Sequence, residues 1–237
     1  MERFEFKVKF GSDEFDSNGR LKADRIFYYF QEVSEGDVNA RGVGPKDLMR
    51  QNQIWVLTKM RIMIQGDVKP GEEYVCGTFP VRKKSVTYKR DYYIKKGDEI
   101  LIRGAAQWCI LDFDTRKPLR TDIEFEEALP EEEMITGIFP KIRCEDPDLL
   151  GEHTVTEEDI DFNDHTNNSR YIAIAEQVTG ENVTEELFVN FASETRLGDV
   201  IVLYGEKQES QTGPDAKATY VEGRNRSGER IYQMLFR

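Results

Sequence analysis

The sequence predicts an α+β protein built from two copies of one unit, each a long helix wrapped by a curved antiparallel sheet. Three observations carry this. Asp16-Ser-Asn-Gly-Arg20 matches Asp161-Phe-Asn-Asp-His165, and the alignment continues without a gap. Apolar positions after each corner repeat with helical spacing. Each helical stretch is followed by runs rich in β-branched and aromatic residues, separated by glycine-acidic turns.

In chain order, Ile26, Phe27, Phe30 and Val33 fall on Tyr171, Ile172, Ala175 and Val178, one helix face in each copy. Gly71-Glu-Glu and Gly198-Asp then open the strands, and Gly97-Asp-Glu and Gly228-Glu-Arg turn between the last two strands of each copy. Val86, Tyr88, Tyr92 and Ile94 keep a period of two. Ile100, Ile102, Gly104, Ala106, Trp108 and Ile110 line one face of the next strand. Gly104-Ala-Ala is too small to fill a core, which places the helix close against the sheet there. The boundaries follow: an N-terminal domain over 1–123, an acidic, proline-bearing linker over 124–152, and a C-terminal domain over 153–237.

The chain of 237 residues carries 33 Lys+Arg against 45 Asp+Glu, a formal net charge of -12, which disfavours nucleic acid as a partner. No apolar run approaches the roughly 18 residues of a membrane span, and the opening MERFEFKVKF lacks a secretory pattern. The three cysteines, Cys76, Cys109 and Cys144, have no CxxC spacing, which argues against a disulfide framework or structural zinc and for a reducing cytosol. A cytoplasmic protein without cofactor or metal is the expectation.

Only two histidines exist. His153 reads as an exposed loop residue. His165 sits in Asp161-Phe-Asn163-Asp-His165-Thr-Asn167-Asn168, directly ahead of a helix. N-capping accounts for Asn167 or Asn168; Asp161, Asn163 and His165 lie too far upstream for one cap. The first copy keeps Asp16 and Asn18 but has Arg20 in place of His165, so any chemistry belongs to the second copy.

The string Asn163-Asp-His165-Thr-Asn167-Asn168 followed by Tyr171-Ile172 resembles the motif of the plant and bacterial acyl-acyl carrier protein thioesterases. Phe191-Ala-Ser-Glu194-Thr195 is similar to that family's strand bearing a catalytic glutamate. The resemblance covers nearly the whole chain and implies tandem hotdog domains, an acyl tunnel in the first, and a site of Asp161, Asn163, His165 and Glu194. Where plant members usually carry Cys after that Glu, this chain has Thr195, so a cysteine nucleophile does not apply. The scheme that fits is attack by water, with Glu194 able to act as base, His165 and Asn163 able to orient water and carbonyl, Asp161 fixing the Asn or His rotamer, and the N-terminus of the following helix assisting the oxyanion; sequence leaves open which of Glu194 and His165 is the base.

The implied partner is an acyl carrier protein bearing a phosphopantetheine-linked fatty acyl chain. Arg82, Lys83, Lys84, Lys89 and Arg90 form a basic cluster in an acidic chain and are a candidate docking surface, with solvated strand ends as the alternative. Cys109 reads as core. Rival readings are an acyl-CoA thioesterase, a hotdog enoyl hydratase and a catalytically silent acyl-binding regulator. The hydratase pattern Asp-x-Asn-Pro-x-His is disfavoured by Asp164 and by the shorter Asp161-to-His165 spacing. Oligomeric state is open, a homodimer among the alternatives.

Overall fold

The computed structural model describes residues 3–125, 133–136, 139, 141–161, 163–180, 182–209 and 217–237. The chain divides into two compact units, Met1–Leu21 with Ile26–Ile138 and Lys22–Arg25 with Phe139–Arg237.

The first unit holds β1 (Phe4–Lys9), α1 (Ala23–Ala40) apart from its first three residues, a short α2 (Pro45–Met49), β2 (Gln53–Ile64), β3 (Glu73–Lys84), β4 (Thr87–Lys96) and β5 (Glu99–Asp112). Its strands lie in the order β1-β3-β4-β5-β2, all antiparallel. The spacing of Ile26, Phe27, Phe30 and Val33 buries one face of α1 completely. Gly104 is what lets that face approach. A Cβ at Gly104 would come within 2.5 Å of the Phe30 ring, and that ring stacks on Tyr92 of β4 with centroids 4.9 Å apart. Sequence periodicity does not announce α2. It starts at Pro45 after Gly44 and buries Leu48 beside Tyr88 and Ile110.

Strand β4 departs from the expected alternation. Every residue from Tyr88 to Ile94 is buried, because both of its faces are covered. Arg90 and Tyr92 meet α1 through Asp37 and Ser34. On the other face, residues 133–135 cross over Lys89 and Asp91: Met134 N–H donates to Asp91 at 2.6 Å and Lys89 donates to the Ile135 carbonyl at 2.7 Å.

The second unit holds β6 (Asp148–Thr154), α3 (Asn168–Thr179), β7 (Glu186–Phe191), β8 (Val200–Glu209), β9 (Lys217–Arg224) and β10 (Arg230–Phe236). Its strand order, β6-β8-β9-β10-β7, reproduces that of the first unit position for position. The turns agree too. A 3-10 turn at Ser12–Glu14 is matched by one at Glu157–Asp159, the bridge Phe15 to Leu21 by Ile160 to Thr166, and positive φ at Gly71 and Gly97 by the same at Gly198 and Gly228. Asn167 caps α3, its Oδ1 accepting from Ser169 N–H at 2.9 Å, and Gly180 ends it at φ 66. Because α3 stops at Thr179, Val178 is only half-buried where its counterpart Val33 is fully covered.

The segment read as a linker is partly built into the units. Strand β6 begins within it and pairs with β8. Ile142 packs with Phe188, Ala218, Tyr220 and Leu235 in the second unit. An acidic, proline-bearing composition conceals these few apolar anchors. Among the described residues no helix is long and apolar enough to cross a membrane.

Candidate active site

The corner before α3 is made by one carboxylate. Asp161 accepts the backbone N–H of Asn163 at 2.8 Å and of His165 at 3.4 Å, while its own N–H donates to the His165 carbonyl at 2.8 Å. The first unit makes the same corner with Asp16, Asn18 and Arg20 at 2.9, 2.8 and 2.8 Å. Its left-handed residue is Gly19 at φ 75, and Asp164 at φ 60 takes that place in the second unit. Asp161 therefore shapes the backbone that carries Asn163 and His165, where the motif had suggested a hold on one of their side chains.

His165 and Glu194, distant in sequence, come together. Nε2 of His165 lies 3.1 Å from Oε1 of Glu194, with the His side chain 18% and the Glu side chain 43% exposed. Nε2 itself is shielded from solvent and has no aligned hydrogen-bond partner among the described residues, so the contact is a charge-distance approach that leaves the nitrogen's bonding capacity unspent. Asn163 is exposed on the same loop. A cavity of about 320 Å³ adjoins Glu194 and is lined also by Ser193, Thr195, Val200 and Ile231 among others.

Thr195, next in sequence, is bonded into the interior. It is buried, its Oγ1 2.9 Å from the Tyr171 hydroxyl and 2.7 Å from Oγ1 of Thr166. Its N–H donates to the Tyr171 oxygen at 3.0 Å, and its carbonyl accepts Thr166 N–H at 2.8 Å. Thr195 borders the same cavity as Glu194, with its hydroxyl already engaged by two others. The partnership of Thr166 and Tyr171 with Thr195 is tertiary and escapes sequence reading, although all three flank or belong to the motifs.

With this geometry in view, the comparison with known proteins is direct. Sequence models of the acyl-ACP thioesterase N-terminal domain and of the acyl-ACP thioesterase C-terminal domain match residues 2–129 and 145–234. The chain belongs to the acyl-ACP thioesterase family. Its fold is that of solved acyl-ACP thioesterases, the tandem hotdog arrangement. The Bacteroides thetaiotaomicron acyl-ACP thioesterase superposes with a TM-score of 0.86 at 17% identity, covering 99% of this chain and 96% of that one. The 12:0-ACP thioesterase of Umbellularia californica superposes with a TM-score of 0.79 at 14% identity, covering 99% and 92%. Among curated relatives, a chloroplastic acyl-[acyl-carrier-protein] hydrolase of Cuphea viscosissima is 24% identical over 191 residues, or 73% of this chain. A chloroplastic palmitoyl-acyl carrier protein thioesterase of Cuphea hookeriana gives the same figures. The match spans 46% of the length of each.

Set within this thioesterase family, the remaining candidates separate. The basic cluster does not form one surface. Lys89 is 7% and Arg90 4% exposed. Lys89 is held by Glu133 at 2.8 Å and stands 3.6 Å from Asp91, and Arg90 is held by Asp37 at 2.5 Å. Their partners lie 44 and 53 residues away, which is why the run looked solvated. Lys84 is exposed; the side chains of Arg82 and Lys83 lie outside the described residues.

His153 is not a loop residue. It sits on β6, half-buried, with Nε2 2.8 Å from Oδ2 of Asp159. Asp159 also accepts from Arg170 of α3 at 2.9 Å and from Thr156 N–H at 2.9 Å. Burial works to raise its pKa, but the hydrogen bonds from Thr156, His153 and Arg170 outweigh burial and hold the carboxyl at about 2. The Asp159 carbonyl accepts Asn167 N–H at 2.8 Å, so this cluster anchors the start of α3. Ser169 and Arg170 N–H are engaged by Asn167, which leaves the helix end less open to an oxyanion than expected. Cys76 and Cys109 are buried, and desolvation pushes both thiols above their ordinary range.

Proposed function

We propose that the chain is a thioesterase that hydrolyses fatty acyl-acyl carrier protein to free fatty acid and carrier protein. The observation that carries this reading is the His165–Glu194 approach at 3.1 Å beside an open cavity, in the copy that bears the family motif. In the proposed reaction Glu194 takes a proton from water, and the water oxygen bonds to the thioester carbon. The carbonyl oxygen gains the displaced electron pair and is met by a donor from Asn163 or His165. Collapse restores the carbonyl and breaks the C–S bond; the leaving sulfur takes up the proton that Glu194 removed. His165 orients the water and Glu194, and Asp161 holds the corner that presents Asn163 and His165. A thiol leaves readily, so no metal or covalent intermediate is required of these residues.

Membership in the family supports an acyl carrier protein as the source of substrate, and the buried Cys76 and Cys109 suit a reducing, cytoplasmic setting. Coenzyme A ends in the same phosphopantetheine arm, so the test sets the two carriers against each other. Free thiol release is measured with medium- and long-chain acyl carrier proteins and the matching acyl-CoAs, for the wild type and Glu194→Gln. The expected result is turnover on acyl carrier protein that drops by about two to four powers of ten in Glu194→Gln. Turnover confined to acyl-CoA overturns the carrier assignment, and near-normal turnover in folded Glu194→Gln overturns the role of Glu194.

A further inference from the structure

We infer that the hydroxyls of Thr166, Tyr171 and Thr195 form a positioning lock that holds Glu194 against His165, and that none of the three touches the reacting atoms. The inference rests on the proposed role of the His165–Glu194 pair. Thr166 directly follows His165 and Thr195 directly follows Glu194. Behind the pair these neighbours are joined twice, Thr166 N–H to the Thr195 carbonyl at 2.8 Å and Oγ1 to Oγ1 at 2.7 Å. Tyr171 closes the triangle, accepting Thr195 N–H at 3.0 Å and lying 2.9 Å from its Oγ1. One consistent proton order runs from the Tyr171 hydroxyl to Thr195 Oγ1 and from the Thr195 hydroxyl to Thr166 Oγ1.

The internal repeat provides the control. Leu21 and Ile26 stand at the places of Thr166 and Tyr171 in the first unit. The turns at Gly71 and Gly198 also correspond, since Gly71 N–H donates to the Phe10 carbonyl at 2.9 Å and Gly198 N–H to that of the matching Val155 at 3.0 Å. Counting back from those turns puts Val68 at the place of Thr195 and Asp67 at that of Glu194. Leu21, Ile26 and Val68 are all buried. The fold thus fills these three interior places with aliphatic side chains where Arg20 replaces the histidine, and with three mutually bonded hydroxyls where His165 faces Glu194. Buried hydroxyls are unfavourable unless paired and bring directional constraint when they are. At these three matched places the second unit carries that burden and the first does not, and a reacting geometry is sensitive to shifts of about 1 Å.

The test compares the whole chain with Thr195→Val, Thr195→Ser, Tyr171→Phe and Glu194→Gln, reading kcat and KM on one acyl thioester together with the folded fraction by circular dichroism. A lock gives Thr195→Val and Tyr171→Phe a kcat lowered by about ten- to a hundredfold with KM nearly unchanged, and Thr195→Ser, which keeps the hydroxyl, regains most of it. Wild-type kcat in Thr195→Val overturns the inference. So does equal damage in Thr195→Ser and Thr195→Val, or a loss that only follows the folded fraction. Retained turnover in Glu194→Gln instead marks failure of the underlying assignment of the pair.

Discussion

Arg90 on β4 donates to the carboxylate of Asp37 on α1 at 2.5 Å inside the first unit, with both side chains buried. Asp37 also takes Nε of Arg41, just past the end of its own helix, at 2.8 Å, so Arg90 alone ties the sheet to the helix through this carboxylate. Removing Arg90 leaves the buried carboxylate with only the partly exposed Arg41 as a partner. Arg90→Ala is expected to lower the unfolding free energy by about 3–5 kcal/mol, read from urea denaturation, with recovery when Asp37 is replaced by Leu in the same chain. A loss no larger than that of an exposed substitution such as Lys84→Ala counts against it.

Carrier recognition is expected to divide the basic cluster in the same way. Lys84→Glu, on the exposed strand end, raises KM for an acidic acyl carrier protein at low salt, and the defect shrinks as salt is added. Lys89→Glu instead lowers stability, since it sets a third carboxylate against Glu133 and Asp91. Kinetics across a salt series, paired with melting curves, separates the two effects.

Catalysis is expected to reside in the second copy alone. His165→Ala lowers turnover by about two to four powers of ten, and Arg20→Ala at the matching corner changes it less than threefold, roughly the level of a peripheral surface substitution. Equal losses on one acyl carrier substrate overturn this.

Two buried carboxylates are expected to bend stability with pH in opposite directions. Asp159 is held at about 2 against an ordinary 3.8, so its contribution is full above about pH 4 and lost as pH falls toward 2. Asp91 is pushed up to about 6 by burial, against the pull of Lys89 and the Met134 and Ile135 N–H groups, so its contribution is full below about pH 4 and lost as pH rises through 6. Asp91→Asn removes that second loss. Relative to the wild type, its urea midpoint rises between pH 4 and pH 7 by the equivalent of about 3 kcal/mol, while Asp159→Asn flattens the acid limb. Parallel profiles in all three chains contradict both assignments.

Cysteine chemistry is expected to be silent. Native protein alkylates at Cys144 ahead of the buried Cys76 and Cys109, and replacing all three with Ala leaves turnover largely intact. Rapid mixing shows no thiol burst. An acyl adduct found on Thr195 or a cysteine by mass spectrometry defeats attack by water.

Local features were legible and tertiary ones were not. The Asp161 corner repeats Asp16 within a few residues of chain, and Gly104-Ala-Ala announces a close approach because small side chains leave room. The cap at Asn167 likewise depends on adjacent sequence. In contrast, Lys89 and Arg90 looked exposed because what buries them, α1 and residues 133–135, arrives from far along the chain. His153 stands only six residues from Asp159, yet the pair stayed hidden because β6 begins inside a segment whose composition reads as a linker. Glu194 had no distinguishing local signal apart from the family motif. What sets it apart, the facing imidazole and the hydroxyls behind it, exists only once β7 and α3 are assembled.

The missing Cβ of Gly104 also limits how this sequence can change over time. With Phe30 2.5 Å from where that atom would stand, even alanine at 104 forces the ring off Tyr92, while shrinking Phe30 alone leaves a void that the sheet cannot close. Neither substitution is tolerated singly at low cost, but a larger residue at 104 joined to a smaller one at 30 conserves the filled volume. The two positions behave as a single heritable unit: drift in one is expected only in lineages where the other has moved with it.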